Sequence, residues 1–397
     1  MNLRGMSIAL LLCLCADAAW RSALPPDLHP SPVFALDAPP STHASRVACE
    51  APEVMQQGRI PMPENTPAAH ASSLVALDAR HPLGAQKQWV AFWFAGTRES
   101  APDVGIAAAT YDRAQQRWDA AQWVVTREDL SAQLGVAVRR IGNPMAWRDA
   151  DGRLHLYVVA TGLGGWAASR VVHLVESASQ TRLHWVAERI LPLMPLATWF
   201  NTSTLVRTQA QPLQDGGAWL PMYFELGTKY ALAVRVGPQG QLLDLRRMTH
   251  RRDVLQPTMV ATSAHNAVAL MRDNGAHARV AWSQTDDGGL HWQDQPDAAA
   301  GNPDSSLAAL RLPSGELWVA HNPLQERRSV LLLSRVRDPQ QTWQSTVLAQ
   351  DNAVGAELSY PSMAYDAASQ QVWLTYTDQR RAIAFAQLRV NCREVTP

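Results

Sequence analysis

Trp89–Phe94 reads Trp-Val-Ala-Phe-Trp-Phe, and the fold is decided by finding that strand again. Comparable apolar runs stand at His155–Ala160, Trp219–Phe224, Val268–Asp273, Trp318–Pro323 and Trp373–Asp378. That makes six copies spaced roughly 50–65 residues apart, the period of a four-stranded unit with its loops. Before each lies a second apolar strand, opened by a polar residue: His70, Asn143, Asn201, Gln256, Asp304 and Tyr360. Turn signals such as Asp151-Gly152 and Ser314-Gly315 separate several of the pairs. A lone hairpin cannot cover both of its faces, so such units must stack, and stacking around an axis leaves few exposed edges. The expected fold is all-β, a six-bladed β-propeller over residues 59–392. A β-sandwich pair or a β-helix is the other reading of the same rhythm.

Composition agrees. The 397 residues include 15 Trp against 6 Phe, and hydrophobic residues make up 47%, enough for a large core. Lys+Arg and Asp+Glu are both 35, so no net field recruits nucleic acid or an anionic membrane. No metal-ligand spacing, phosphate loop or cofactor motif stands out, and no cofactor is expected.

Residues 1–18 read as a signal peptide: Arg4, an apolar run from Met6 to Cys15, then Ala16-Asp17-Ala18. That run is too short for a permanent span, and no other stretch spans a membrane. An uncleaved anchor, or lipidation at Cys13 or Cys15, is the alternative to soluble export. Residues 19–58 form an N-terminal extension, Pro- and Ala-rich over its first thirty positions. The expected location is periplasmic or secreted. Cleavage leaves Cys49 and Cys392 near opposite ends of the mature chain. In an oxidising compartment they form a disulfide that locks the ring; two reduced buried thiols are the alternative.

Thr285-Asp286-Asp287-Gly288-Gly289-Leu290-His291-Trp292 has the form Ser/Thr-x-Asp-x-Gly-x-x-Trp. Asp287 can accept turn amides, Gly289 can take a conformation closed to side chains, and Trp292 can pack between layers. With the repeat rhythm, and with the stretches Trp93–Ile106, Thr161–Trp166, Asn302–Leu307 and Ser359–Ser362, this chain resembles the sialidase superfamily. Within it, the resemblance is to bacterial sialidase-like proteins with Asp-box (BNR) repeats, over about residues 59–390.

The resemblance implies a retaining exo-α-sialidase chemistry. Tyr360 matches the nucleophile, Glu225 the carboxylate that takes its proton, and Asp103 the acid/base. A neutral phenol suits an acidic sugar, whose own carboxylate would repel an anionic attacker. Arg272 and Arg328 (or Arg327) match two of the three arginines that hold the substrate carboxylate. The first departs from the pattern. The blade-one strand opens with His70, while Arg59-Ile60-Pro61 lies about ten residues earlier; either Arg59 reaches in from a shifted loop or His70 replaces it. A His holds a carboxylate less well than a bidentate Arg. In a propeller, strand starts and the loops after second strands meet at one channel mouth. That adds Arg98, Asn143, Trp166, Asn201, Gln256 and Asp304 as substrate-binding candidates, with Trp166 as a stacking wall. The expected partner is a glycan, acidic in character. A non-catalytic carbohydrate-binding propeller, or a hydrolase or lyase of different glycan specificity, is the alternative; oligomeric state is not legible.

Overall fold

The computed structural model describes residues 8–9, 11–13, 15–16, 30–36, 46–177, 183–193 and 203–395. Most of residues 1–18, and Asn201, therefore lie outside the described residues.

Six antiparallel sheets follow one another along the chain and close as a six-bladed β-propeller. In chain order their inner strands are Ala68–Ala76, Arg140–Arg148, Thr204–Val206, Val254–Ala261, Ala308–Arg311 and Leu358–Asp366. Each pairs with a second strand: Lys87–Gly96, Leu154–Thr161, Ala218–Phe224, Ala267–Asp273, Leu317–His321 and Gln371–Asp378. These second strands are the six apolar copies quoted above. They are buried on both faces, which is why they read as continuous apolar runs rather than alternating ones.

The ring closes with strand Glu53–Arg59, which supplies the outermost strand of the sixth blade by pairing with Ala382–Arg389. The sixth sheet thus takes in Glu53 to Gly58, ahead of residue 59. Six of the strand's seven residues are exposed, so it lacks the apolar rhythm that marks the others. Beyond it, Arg46–Cys49 pairs with Cys392–Val395, and a disulfide joins Cys49 to Cys392 across 343 residues of sequence.

The tryptophan excess is accounted for between blades. Trp89, Trp93, Trp219, Trp318 and Trp373 are all under 2% exposed, and Trp89 meets Trp373 of the sixth blade at 5.6 Å between ring centroids. Truncating a residue so placed costs about 3–5 kcal/mol. In the turn 285–292, Asp287 Oδ1 accepts the amides of Leu290 and His291, both at 3.0 Å, and Trp292 Nε1 donates to the carbonyl of Gly289. Among the described residues a short α-helix, Arg127–Leu134, and a 3-10 turn, Gly165–Ala168, interrupt the sheets. Thr126 and Asp129 cap the α-helix reciprocally. Among the described residues no helix is long and apolar enough to cross a membrane.

Candidate functional site

The start of each blade carries one non-glycine residue in the left-handed region: Ala71 (φ 58°), Asn143 (38°), Ser203 (55°), Gln256 (48°), Asp304 (54°) and Tyr360 (54°). In blades one, two, four and six the strand register slips at this residue, a bulge that re-aims the side chain. Left-handed backbone is unfavourable for a tyrosine or glutamine, and a sixfold recurrence means the fold imposes it. Four of the six polar strand starts read from sequence occupy this position. In blade one it is Ala71, with His70 beside it; in blade three it is Ser203.

The bulges bring side chains from all six blades together. Tyr360 Oη accepts from Arg272 Nη1 (3.0 Å) and Gln256 Nε2 (3.2 Å). Gln256 Oε1 accepts from the same Arg272 nitrogen at 3.0 Å. Asn143 and Gln256 both donate to Tyr223 Oη, at 3.3 and 3.5 Å. Arg272 Nε is 2.6 Å from Asp304 Oδ1, and Arg328 Nη2 donates to the Asp304 carbonyl (2.9 Å). Arg328 lies 5.7 Å from the Tyr360 ring centroid, and the His70 ring lies 4.0 Å from it.

Charge in this mouth is ordered by pairing. Burial disfavours the Arg272 cation, but Tyr360 and Asp304 outweigh it and raise the guanidinium above its ordinary value. Asp304 is held low in return, against its own burial. Glu357 bridges two cations: Oε1 takes Arg328 Nη1 at 2.9 Å and Oε2 takes Arg380 Nε at 2.7 Å. Burial opposes the Glu357 carboxylate, yet the bonds from Arg380 and Ser359 bring it down to about 2.

Arg380 was not singled out from sequence. It sits in a left-handed turn (φ 53°) between two strands of blade six, and its carbonyl accepts the Ala69 amide at 2.9 Å. It thereby places a guanidinium beside the start of blade one, where the sequence offers His70. Burial first, then Arg380, holds His70 well below its ordinary value, so its ring is neutral and packs against Tyr360. Arg59 stays on the outer strand, with a side chain 68% exposed and paired to Asp378. Only the proximity of Arg380 to Ala69 across the ring closure reveals its place, and no spacing in the chain encodes that. Tyr223 was also passed over, because it reads as one more apolar strand residue.

Asp103 and Glu225 lie apart from the network of direct bonds. Asp103 is exposed on the loop after Lys87–Gly96; its oxygens accept Thr97 N and Thr97 Oγ1, both at 2.8 Å. Burial pushes Asp103 up, but the Thr97 bonds together with its own backbone and Arg98 outweigh it and keep the carboxyl below its ordinary value. The same loop is tied to the mouth by Trp166 Nε1, which donates to Ser100 Oγ (2.8 Å), and by a Glu99–Arg380 ion pair. Arg98 on it is exposed. Trp166 also lies against Gly142, where an added Cβ would come within 3.1 Å of the indole. Glu225 follows Ala218–Phe224 and is pushed up by burial, with Lys229 and Arg272 opposing. Among the described residues no hydrogen bond joins it to Tyr360. Nor do they contain a group of three or more His, Cys, Asp or Glu placed to hold a metal.

A closed six-bladed ring with a tyrosine-centred, arginine-rich mouth defines a sialidase-like propeller. The chain belongs to the BNR repeat-like domain family, whose profile matches residues 87–372. Among solved structures it is similar to a Hadza microbial sialidase (14% identity, TM-score 0.63, 81% of this chain and 65% of that one). It is also similar to a Dyadobacter fermentans protein of unknown function (12%, 0.67, 86% and 99%) and to a Trypanosoma rangeli sialidase (12%, 0.60, 87% and 60%). This chain therefore spans less than two thirds of either sialidase's own length. No curated protein matches it by sequence.

Proposed function

We propose that the mouth binds an acidic sugar and cleaves its glycosidic bond by the retaining, tyrosine-nucleophile route. The observation carrying this reading is the Tyr360 oxygen, which receives two hydrogen-bond donors at 3.0 and 3.2 Å within a cluster that includes Arg272, Arg328 and Arg380. Guanidinium groups suit a sugar carboxylate because their paired donors match its two oxygens. Arg380 takes the part for which the family pattern uses a blade-one arginine. A Trypanosoma rangeli sialidase has been solved with sialic acid bound, which makes that sugar the first substrate to try.

In this mechanism the phenol O–H of Tyr360 breaks and its proton passes to Glu225, whose raised affinity for protons suits a base. The oxygen attacks the anomeric carbon as the glycosidic C–O bond breaks, and Asp103 gives its proton to the leaving oxygen. Water, deprotonated by Asp103, then attacks the anomeric carbon as its bond to the Tyr360 oxygen breaks, Glu225 returns the proton to that oxygen, and the sugar leaves with retained configuration. Asn143, Gln256, Asp304, Arg98 and Trp166 contribute polar and stacking contacts to the sugar, with His70 packed behind. Residues 1–18 act as a signal peptide that exports the protein, and the mature chain is an N-terminal extension followed by one propeller.

A fluorogenic sialoside assay tests this. Turnover is expected in the wild type and loss of at least about a thousandfold in Tyr360→Phe and Asp103→Asn, while Arg380→Ala raises KM about tenfold or more. The exposed, ionised Asp103 favours a second reading, a propeller that binds acidic glycans without cleaving them. Saturable binding with no turnover on any acidic glycoside would replace the first reading by that one.

A further inference from the structure

Arg207 follows the short inner strand of blade three and is 1% exposed. Its side chain reaches from blade three to blades one and six. Nη1 donates to the Ser72 carbonyl of blade one (3.1 Å), and Nη2 to the Pro361 carbonyl of blade six (3.0 Å). The guanidinium carbon lies 4.9 Å from the centroid of the Tyr360 ring. Nε is buried without an acceptor, and no carboxylate pairs with this cation among the described residues. Burial pushes Arg207 down to about 10, which still leaves it charged at neutral pH.

A buried cation without an anion is costly, because desolvation removes several kcal/mol of hydration that two carbonyls replace only in part. The ionisable groups that favour the Arg207 cation are Tyr360 and Tyr223, and Arg207 in turn helps keep His70 neutral. The Tyr360 hydroxyl accepts two hydrogen bonds and donates none to the described residues, although the residue is only 8% exposed. An oxygen supplied with donors and denied an acceptor is arranged for the ionised form. Glu225, the base in the reading above, makes no bond to Tyr360 that would favour ionisation by itself.

We propose that Arg207 is the built-in counter-charge for a Tyr360 phenolate, a positioning residue that works from the channel side of the ring while Arg272 works at its oxygen. The balance is a single proton transfer: the phenol loses its proton to Glu225 or to water in the mouth, and nothing is oxidised or reduced. The role in turnover rests on the glycosidase reading, but the charge coupling does not require a substrate.

The groups facing Tyr360 are Arg207, Arg272, Arg328, His70, Gln256 and, beyond Gln256, Tyr223. An ultraviolet difference titration of the substrate-free protein reads phenolate formation directly. The chain has seven tyrosines, and burial pushes up all six of the others. The expected result is one tyrosine that ionises ahead of the rest, absent in Tyr360→Phe. In Arg207→Gln, which keeps a donor for the carbonyls but no charge, that step moves up by about one to two pH units, and Arg207→Lys restores most of it. If a folded Arg207→Gln titrates as the wild type does, Arg207 only braces three blades and the proposal is overturned. Absence of an early step in the wild type overturns it equally. Should Arg207→Gln fail to fold, Arg207→Lys decides: an early step, absent in Tyr360→Phe, that keeps nearly its wild-type position while the charge is retained supports the proposal, and its loss with the charge retained overturns it. Loss of sialoside cleavage alone, with the titration as expected, counts against the glycosidase reading and not against this one.

Discussion

At the residue scale the tension lies in Asp103. An acid that protonates a leaving oxygen must hold a proton at working pH, yet two bonds from Thr97 stabilise its ionised form. The sign follows from that. With Asp103 depressed, the protonated fraction falls as pH rises through the lowered value, so for the cleavage proposed above kcat/KM is expected to decline toward neutral pH and to be greatest on the acid side. Thr97→Val removes the hydroxyl donor while leaving the amide. Its expected effect is to raise Asp103 and carry the basic limb of the pH–rate profile to higher pH, with thermal stability unchanged because Thr97 is exposed. A basic limb that stays in place in Thr97→Val would assign it to another group. The strand-start residues Asn143, Gln256, Asp304 and Tyr360 were legible at this scale because polar residues interrupt apolar strands at matching repeat positions, while Arg272 and Arg328 came from the family resemblance. Arg380 and Arg207 came from neither. One depends on the ring closing blade six onto blade one, and the other sits one residue past a strand like any surface arginine; neither fact is local in sequence.

At the element scale the blades are held by two devices of different visibility. Inner-strand amides that face a neighbouring blade are satisfied by its hydroxyls: Ser73 Oγ takes the Ala146 amide and Ser362 Oγ the Leu74 amide, both at 3.0 Å, and Thr258 Oγ1 takes the Ala309 amide at 3.3 Å. These Ser and Thr stand two residues after the left-handed residue in blades one, four and six, and they protect strand edges that water would otherwise have to reach. The second device is the turn 285–292, whose Gly289 has φ 100° and lies so close to blade three that an added Cβ would sit 2.9 Å from Trp219 Nε1. Trp219 Nε1 in turn donates to the Gly288 carbonyl at 2.8 Å, so the turn is a clasp between blades three and four. Gly289→Ala forces both the backbone and the indole, and is expected to destabilise the protein by about 2–4 kcal/mol. Denaturant unfolding measures it; a loss under about 0.5 kcal/mol would mean that the clasp yields freely. The turn's internal bonds, to Asp287 and to the Gly289 carbonyl, were legible in eight consecutive residues because they are local, whereas the bond from Trp219 to Gly288 was not. Nor was the closing strand Glu53–Arg59, since an exposed outer strand carries no apolar alternation.

At the scale of the whole molecule, the mouth exists only while the ring is shut. Arg380 reaches its place through Ala69, Arg207 ties blades one, three and six, and the outer strand of blade six comes from the beginning of the chain. A ring joined by strand pairing alone can open at that seam, because the exposed strand contributes little apolar burial. The Cys49–Cys392 bond sits just outside the seam and joins residues 343 apart in sequence. Loop-closure arguments give such a bond about 4–6 kcal/mol, with native strain or residual structure in the unfolded chain reducing it. Cys49→Ser with Cys392→Ser is therefore expected to lower stability by roughly 3–5 kcal/mol, and reduction of the wild type to have the same effect. Among the described residues no hydrogen bond joins Cys49 or Cys392 to the mouth, so the sugar binding proposed above is expected to survive at low temperature while the temperature of half-inactivation falls. Limited proteolysis locates the failure: the first cuts in the disulfide-free protein should flank Glu53–Arg59. Cuts that begin instead in the loops of blades two to five would place the weakest point of the ring away from its seam.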